Sequence, residues 1–366
     1  MKKIPVYVPK LSGNEKRYVN ECLDTTWISS KGKFISKFEE KFSKFLNVDY
    51  STSVSNGTVA LHLALATLGI GKGDEVIVPT LTYIASVNAI AYVGAEPVFA
   101  DSHSKTWNID PSKLLELITP KTKAIMVVHL YGNSCDMDNI LKICQERNIF
   151  IIEDAAEAFG TKYNNKYIGT FGDVATFSFF GNKTITTGEG GMLVTNNKLL
   201  IEKANHLKNQ GVSSNKEYWH DVIGFNYRMT NICAAIGLAQ LERAKQILSK
   251  KRVIFNWYLE YLKGTDIQFQ KLYSLSISSY WMVAVLASTK AKKDGLRNYL
   301  KSNGVETRPM FFPVHKMPAF YSASSFPVAE QLSRRGLYLP SYPGLSKTDV
   351  EIICNLIIDY LNKVKV

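Results

Sequence analysis

Cysteine is scarce in this 366-residue chain, and its spacing excludes two classes of stabilised protein. The cysteines are odd in number, are scattered and form no C-x-x-C pair; they are Cys22, Cys135, Cys144, Cys233 and Cys354. Disulfide frameworks and structural zinc sites both rely on cysteines at characteristic spacings. The six histidines also lack the H-x-x-x-H spacing of a helical metal site. We therefore expect neither a disulfide-stabilised fold nor a bound metal.

The chain also lacks a long apolar run. No uninterrupted apolar stretch approaches the roughly 20 residues that span a bilayer. The N-terminal stretch from Ile4 to Pro9 is short and broken by proline, unlike the core of a secretory signal. We expect a cytoplasmic protein without a membrane partner.

Acidic residues are outnumbered, with 32 Asp and Glu against 44 Lys and Arg, which gives a net charge of +12. Nucleic-acid-binding proteins usually concentrate such charge in a stripe or a tail. Here the lysines are spread along the chain, and clusters such as Lys250-Lys251-Arg252 are short. The charge favours an anionic small substrate or a merely basic surface, and we expect no nucleic-acid partner.

Short β-type runs alternate with helical segments through the first half of the chain. The expected strands are 50–54, 75–78, 97–100, 124–128 and 150–152, and the expected helices between them are 58–68, 84–92 and 136–147. Such alternation predicts an α/β fold with a mainly parallel, doubly wound sheet that binds ligands at the carboxyl ends of its strands. Residues 231–262 predict one long helix or a kinked pair. A smaller α+β set follows, with a strand at 280–287 and helices at 293–302 and 349–361. We divide the chain into a large domain, 1–250, and a small domain, 251–366.

One lysine stands in a setting typical of a reactive amine. Lys183 follows the apolar run Thr176 to Phe180 and precedes the glycine-rich turn Gly188 to Gly191. Partial desolvation there would lower the pKa of Lys183, and the neutral amine can attack a carbonyl to form a Schiff base. Upstream, the strand 150–152 ends in Glu153 and Asp154. A lysine and a carboxylate for a pyridinium nitrogen are two parts of a pyridoxal-phosphate (PLP) site.

Four further features each allow two interpretations. The segment Ser55 to Thr58 precedes a helix and predicts either an anion site at the helix N-terminus or a plain N-cap. Tyr83 follows a strand end and could stack on a flat heterocycle or simply pack. Asp154 and Glu157 could pair with a cationic ring or form a salt bridge or cap. The loop Trp27 to Gly32 is either a helix connection or a lining of the substrate site.

The joint occurrence of these segments identifies a family. The chain resembles the DegT/StrS nucleotide-sugar aminotransferases along essentially its whole length, through Ser55-Asn-Gly-Thr-Val-Ala-Leu-His62, Pro79-Thr-Leu-Thr-Tyr83, Glu153-Asp-Ala-Ala-Glu-Ala-Phe-Gly160, Ser178-Phe-Phe-Gly-Asn-Lys-Thr-Ile-Thr-Thr187, Thr187-Gly-Glu-Gly-Gly191 and Gly224-Phe-Asn-Tyr-Arg-Met229. The resemblance implies the fold of aspartate aminotransferase (fold type I) with PLP as cofactor.

The resemblance also implies a role for individual residues. Lys183 would bind PLP covalently and shuttle the proton, Asp154 would pair with the pyridine nitrogen, and Glu157 would lie near the ring hydroxyl. Tyr83 would stack on the ring. The phosphate would be bound by Gly57, Thr58 and Ser178, and by Asn226 from a neighbouring subunit. A homodimer with shared active sites is therefore implied, and a tetramer is left open. The candidates for the sugar nucleotide are Trp27, Ser29, Lys31, Arg308 and His315.

The family resemblance extends to a reaction. The segments Trp27-Ile-Ser-Ser-Lys-Gly32 and Thr307-Arg-Pro-Met-Phe-Phe-Pro-Val-His315 resemble those of members that aminate GDP-4-keto-6-deoxy-D-mannose at C4 with L-glutamate, giving GDP-perosamine and 2-oxoglutarate for O-antigen and polysaccharide synthesis. A UDP- or dTDP-linked keto sugar is the alternative. A PLP-dependent sugar dehydratase is disfavoured, because that branch replaces the lysine with histidine. Phe159 stands where many members have histidine, which would leave the back of the ring apolar and affect sugar choice.

Overall fold

The computed structural model describes residues 3–364. Its α-helices are α1 Glu15–Asp24, α2 Lys33–Leu46, α3 Gly57–Leu68, α4 Ile84–Tyr92, α5 Leu114–Leu117, α6 Met137–Arg147, α7 Lys198–Lys208, α8 Asn231–Glu242, α9 Ala244–Tyr261, α10 Lys290–Ser302, α11 Pro327–Arg335 and α12 Lys347–Lys363. Its strands are β1 Tyr50–Val54, β2 Glu75–Pro79, β3 Glu96–Ala100, β4 Thr122–Val128, β5 Phe150–Asp154, β6 Lys162–Tyr163, β7 Lys166–Tyr167, β8 Val174–Ser178, β9 Gly191–Thr195, β10 Gln268–Phe269, β11 Ser276–Ile277, β12 Val283–Leu286, β13 Arg308–Pro309 and β14 Gly336–Leu339.

A seven-stranded sheet forms the centre of the molecule, with the strand order β1-β9-β8-β5-β4-β2-β3. The contiguous strands from β8 to β3 pair in parallel, whereas β9 is antiparallel to both of its neighbours. The predicted mainly parallel sheet is confirmed. Its parallel register places Val128 opposite Asp154, and Asp154 opposite Thr176, so the carboxyl ends of β4 and β5 meet at one edge.

Both faces of this sheet are covered by apolar side chains, which is why its strands read as apolar runs. On one face α2, α6 and α8 supply an aromatic and aliphatic core that includes the fully buried Phe38 and Phe42. On the other face α3, α4 and α7 pack through buried residues such as Leu63 and Leu65. Helices on both faces make the sheet doubly wound, as expected.

The C-terminal part contains an antiparallel four-stranded sheet in the order β10-β12-β14-β13. The helix α9 joins the two parts of the molecule. Its first turn contributes Ala244 and Ile247 to the core of the large sheet, while Ile254 and Tyr258 belong to the core of the small one. The expected domain boundary between residues 250 and 251 falls inside this continuous helix and stays a prediction.

Two expected elements differ in detail from the structure. The segment 231–262 is the kinked pair, because α8 ends at Glu242 and α9 begins at Ala244 after a residue with non-helical backbone angles. The strand expected at 280–287 begins only at Val283, since Tyr280 has a φ of +50°, which an extended strand does not allow. Within residues 3–364, none of the helices combines the length and the apolar character that a membrane crossing requires.

Candidate active site

A pocket of about 560 Å³ opens at the carboxyl ends of the parallel strands. Its walls come from the N-terminus of α3, the end of β5, the loop after β8 and two aromatic residues of the C-terminal part. The lining includes Gly57, Thr58, Tyr83, Ser86, Asp154, Glu157, Ser178, Asn182, Lys183, Glu189, Trp281 and Phe311. Ligands of doubly wound sheets bind at this edge.

The N-terminus of α3 presents backbone N–H groups to the pocket. Asn56 is the N-cap, and its Oδ1 accepts a hydrogen bond of 3.0 Å from the Val59 N–H. Gly57 and Thr58 are the first two residues of α3. Their N–H groups therefore have no hydrogen-bond acceptor within the helix. A Cβ on Gly57 would stand 2.7 Å from the Ser178 Cβ, so only glycine allows this approach. The capping interpretation is therefore correct for Asn56, and the same geometry leaves room for an anion.

Adjacent carboxylates at the end of β5 face different surroundings, as strand alternation requires. Asp154 lines the pocket; its Oδ2 accepts a hydrogen bond of 2.7 Å from Ser86 Oγ, and its Oδ1 accepts one of 3.0 Å from the Ala156 N–H. These bonds fix the carboxylate while one side stays open to the pocket. The Ser86 contact was not anticipated from the sequence, because Ser86 lies on α4, far from Asp154 along the chain.

Glu153 is a structural residue. Its carboxylate accepts hydrogen bonds of 2.7–2.8 Å from the N–H groups of Gly169, Phe171 and Gly172. His129 Nε2 lies 3.2 Å from Glu153 Oε2, and the Cys135 N–H donates to His129 Nδ1. Because Nδ1 accepts, the proton of a neutral His129 is on Nε2 and points at Glu153. Of the two adjacent carboxylates, only that of Asp154 is available to a ligand.

Glu157 is a buried carboxyl group at the pocket wall. Burial raises the pKa of Glu157 to about 7, while the charge of Lys183 and a hydrogen bond of 2.8 Å from the Tyr131 N–H act in the opposite direction. The Asp154 carboxylate adds a smaller rise. Near neutral pH this group therefore exchanges between its acid and its anion, and the acid form can donate a hydrogen bond into the pocket.

Lys183 projects from the loop after β8 into the same pocket. Burial lowers the pKa of Lys183, and the carboxylates of Glu157 and Asp154 oppose that shift. The loop is held by its main chain, since the Lys183 N–H donates to Phe180 O at 2.9 Å and the Tyr7 hydroxyl donates to Lys183 O at 2.7 Å. The expected lowering of the pKa of Lys183 agrees with these surroundings.

Aromatic residues form the remaining pocket walls. Tyr83 is the N-cap residue of α4 and stays 57% exposed, with its ring centroid 5.7 Å from that of Phe311. The Trp281 ring lies 4.3 Å from Lys183 Nζ. Neither Trp281 nor Phe311 was singled out from the sequence. The available signal was weak: both stand in aromatic stretches of the small domain, where packing is the usual explanation.

Several residues expected at the site lie outside the pocket of this chain. Trp27, Ser29, Lys31 and Asn226 are exposed, and none of them lines the pocket. Asn226 Oδ1 accepts a hydrogen bond of 3.1 Å from Arg228. None of these four side chains therefore contributes to the pocket of its own chain. Their expected roles stay predictions.

Arg308 and His315, two candidates for the sugar nucleotide, are also absent from the pocket lining. Arg308 is exposed and pairs with Glu306 at 2.6 Å. His315 is fully buried, with Nδ1 2.6 Å from Thr80 Oγ1 and Nε2 3.2 Å from Glu330 Oε1. Both ring nitrogens of His315 are engaged, so in this chain the residue connects the end of β2 to α11 and is not open to a ligand.

Phe159 was expected behind the cofactor ring, but the structure places it in the core. Its ring stacks on Phe45 at 5.0 Å and lies 5.7 Å from that of Phe42. The residue does not line the pocket. Phe159 lies in the core and not behind the pocket because the chain turns near Glu157, and this turn directs the Phe159 side chain towards α2. Any effect of Phe159 on sugar choice would therefore act through packing and not through contact with the pocket.

Comparison with known proteins places this geometry in a family. Residues 9–358 match the model of the DegT/DnrJ/EryC1/StrS aminotransferase family. The chain is 58% identical over 361 residues to GDP-perosamine synthase of Escherichia coli O157:H7, a match that covers 98% of this chain and 99% of the relative. It also resembles the structure of the aminotransferase TlmJ from Streptoalloteichus hindustanus, with a TM-score of 0.95, 31% identity and coverage of 99% and 100%.

A second solved structure with a similar fold is the PLP form of the putative sugar aminotransferase Spr1654 from Streptococcus pneumoniae. Its TM-score is 0.95, with 26% identity and coverage of 99% of this chain and 100% of that one. The predicted fold class and family resemblance are thereby confirmed.

The raised pKa of Glu157 predicts a pH-dependent stability. An acid whose folded pKa is about 7, against 4.5 when unfolded, favours the folded state most below about pH 4.5 and loses that contribution as the pH rises through about 7. Glu157→Gln stays neutral throughout. Between about pH 4 and about pH 8 the unfolding free energy of this variant should therefore rise by about 3 kcal/mol relative to that of the unsubstituted protein.

Urea unfolding at the two pH values measures this difference. Glu189→Gln is the control, because it makes the same chemical change at an exposed position on the rim of the same pocket. Equal effects of the two substitutions at both pH values would contradict a raised pKa at Glu157.

Proposed function

Because this chain belongs to the DegT/DnrJ/EryC1/StrS aminotransferase family, we propose that it transfers an amino group from L-glutamate to C4 of GDP-4-keto-6-deoxy-D-mannose. The products are GDP-perosamine and 2-oxoglutarate. The observation that carries the proposal is the convergence of Lys183, Asp154 and the N-terminus of α3 on one pocket. Identity of 58% with a full-length GDP-perosamine synthase supports the choice of sugar nucleotide.

The pocket fits PLP in each of its chemical parts. The close approach of Gly57 to Ser178, together with the unsatisfied N–H groups of α3, suits a phosphate, which the helix dipole also favours. Asp154 supplies a fixed anion for a pyridinium nitrogen. Lys183 supplies an amine of lowered pKa for the carbonyl carbon. These are the residues that would hold the cofactor.

The chemistry that PLP supplies when bound is the withdrawal of electrons from the carbon that exchanges the amine. The protein's residues do the rest. Asp154 keeps the proton on the pyridine nitrogen, and Ser86 fixes the orientation of that carboxylate. Lys183 Nζ would take the proton from the α-carbon of glutamate and return it at the carbon on the other side of the transferred nitrogen, which needs a pKa near the working pH. Glu157 donates or accepts a hydrogen bond at the ring hydroxyl, and Tyr83 covers one face of the ring.

A second copy of the chain completes the site in this proposal. Asn226 is exposed and outside its own pocket, as are Trp27 and Lys31. The segment near Asn226 also exposes large apolar side chains, among them Tyr218 at 95% and Ile223 at 91%. A homodimer in which Asn226 reaches the partner's phosphate accounts for both observations. We further propose a cytoplasmic location, which the five unpaired cysteines support.

The cofactor assignment predicts a covalent label on one lysine. The purified protein should be yellow with PLP, and borohydride should fix the cofactor to Lys183, as peptide mass spectrometry would show. Lys251 is the internal control, because it is also buried and its pKa is also lowered, but it does not line the pocket. Lys183→Ala should lower kcat by about 1,000-fold or more. A colourless protein or a label on Lys251 would count against the proposal.

The substrate assignment is tested by product analysis. Incubation with L-glutamate and GDP-4-keto-6-deoxymannose should give a nucleotide sugar in which an amine replaces the keto oxygen, detected by mass spectrometry together with 2-oxoglutarate. Parallel reactions with UDP- and dTDP-linked keto sugars are the controls. Amination of one of these alone would replace the GDP assignment, and loss of water without gain of nitrogen would identify a dehydratase.

The shared site predicts complementation between two defective variants. Lys183→Ala removes the amine from its own pocket, and Asn226→Asp places a negative charge against the phosphate in the partner's pocket. After mixed refolding, half of the dimers pair the two variants and each has one intact site, so activity should recover to about a quarter. Mixing Lys183→Ala with Asp154→Ala is the control, because neither site of that mixed dimer is intact. Equal recovery in both mixtures would contradict the sharing of sites.

A further inference from the structure

Trp281 is the pocket residue whose ring lies against the amine of Lys183, and no role was expected for it from the sequence. We propose that the face of Trp281 receives the Lys183 amine whenever it is not bonded to the cofactor, and stabilises the amine in its protonated, proton-carrying form. The inference rests on the proposed function and adds a residue that acts directly on the reacting nitrogen.

Trp281 contacts both the side chain of Lys183 and the main chain of the residue before it. Its ring centroid is 4.3 Å from Lys183 Nζ, within the range of a cation–π contact. Its indole N–H donates a hydrogen bond of 2.8 Å to Asn182 O, the carbonyl that immediately precedes Lys183. The Trp281 side chain is only 3% exposed, so packing also holds it in place. The indole is therefore held at a set distance from the amine.

A second buried lysine holds the main chain of Trp281. Lys251 Nζ donates hydrogen bonds to Trp281 O, at 2.6 Å, and to Ser341 O. Burial lowers the pKa of Lys251 to about 7, but a neutral amine still has two N–H groups for the two carbonyls. Lys251 Nζ also lies 5.3 Å from the centroid of the Tyr7 ring, and the Tyr7 hydroxyl donates to Lys183 O. The lysine loop is thus held in place by a connected group of three side chains, those of Tyr7, Lys251 and Trp281.

Opposing effects on the charge of the Lys183 amine explain why the ring face of Trp281 is needed. Burial disfavours the ammonium, whereas the Glu157 and Asp154 carboxylates favour it. In the proposed cycle the pyridinium would offset the charge of Asp154, and Glu157 is partly protonated near neutral pH. Both carboxyl groups then stabilise the ammonium less. The Glu189 carboxylate is exposed at the rim, and the Tyr7 hydroxyl bonds the main chain of Lys183. The uncharged ring of Trp281 stabilises the ammonium throughout the cycle, because neither change affects it.

The proton balance of the step is simple. The Lys183 amine uses its lone pair to take a proton from the α-carbon of the amino donor, and the electron pair of the broken C–H bond stays with the substrate. The resulting ammonium carries the proton until it is delivered to the carbon on the other side of the transferred nitrogen. A ring face that favours the ammonium makes the first transfer easier and holds the group close for the second.

The test measures the pKa of Lys183 in the full-length protein after hydroxylamine has released the cofactor and dialysis has removed it. Competitive acetylation with acetic anhydride across a pH range, read at the Lys183 peptide by mass spectrometry, reports this pKa without any catalytic turnover. Trp281→Leu keeps an apolar neighbour but removes the π face, so the pKa of Lys183 should fall by about half a unit to one unit. Trp281→Phe keeps a weaker face and should give a smaller fall.

Fluorination separates the ring face from the rest of the side chain. Protein that contains fluorinated tryptophan keeps the shape and the indole N–H of Trp281 but has a less negative ring face, so each added fluorine should lower the pKa of Lys183 further. An unchanged pKa on fluorination, or equal pKa values for Trp281→Leu and the unsubstituted protein, would overturn the inference. Equal falls in the Leu and Phe variants without a fluorine effect would assign the role to the N–H bond and also overturn it.

The result is independent of the proposed function. Because the measurement uses cofactor-free protein, it reads the same whether or not the protein takes up PLP. Failure of the borohydride label with a normal Trp281 effect would reject the function alone. A normal label with no Trp281 effect would reject this inference alone. Thermal unfolding of each variant checks that it is folded, and the fluorinated protein keeps the test available if Trp281→Leu does not fold.

Discussion

Burial of an amine beside two carboxyl groups is the constraint on which the rest of this structure depends. The Lys183 amine, Asp154 and Glu157 face one pocket, where loss of water lowers the pKa of Lys183 and raises that of Glu157. Such groups are stable together only if hydrogen bonds from their surroundings hold them in place. The hydrogen bonds from Ser86 to Asp154, from Tyr131 to Glu157 and from Tyr7 to the lysine loop have this effect.

The fold supplies these bonds from distant parts of the chain. The parallel sheet brings the ends of β4 and β5 to one edge, and α3 and α4 direct their N-termini towards it. The antiparallel pairing of β8 with β9 then returns the chain past Asn56, where a Cβ on Gly191 would stand 2.5 Å from Asn56 O. Glycine at this position allows the N-terminus of α3 and the lysine side of the pocket to lie close together. The C-terminal part closes the remaining side with Trp281 and Phe311.

Sequence reasoning was most successful where the signal is local. Strand and helix positions from Tyr50 to Asp154 follow from periodicity. Asp154 was selected because it ends an apolar strand, and Lys183 because it lies in the loop after one. Reasoning was least successful for contacts that depend on packing between separate segments. His315 was read as a substrate contact from its motif, but its ring is buried against Thr80 and Glu330. Phe159 was assigned to the pocket, but it packs on α2.

By itself, the sequence determined the α/β class and the family and selected Lys183 as the candidate lysine, because apolar periodicity and short motifs record local backbone geometry directly. Only the tertiary structure decided what surrounds the other carboxyl group at the end of β5, since Glu153 is held by His129 and three N–H groups. It also decided that Trp281 lies on the Lys183 amine. These contacts join residues far apart in the chain, and their distances are set by how the sheets and helices pack.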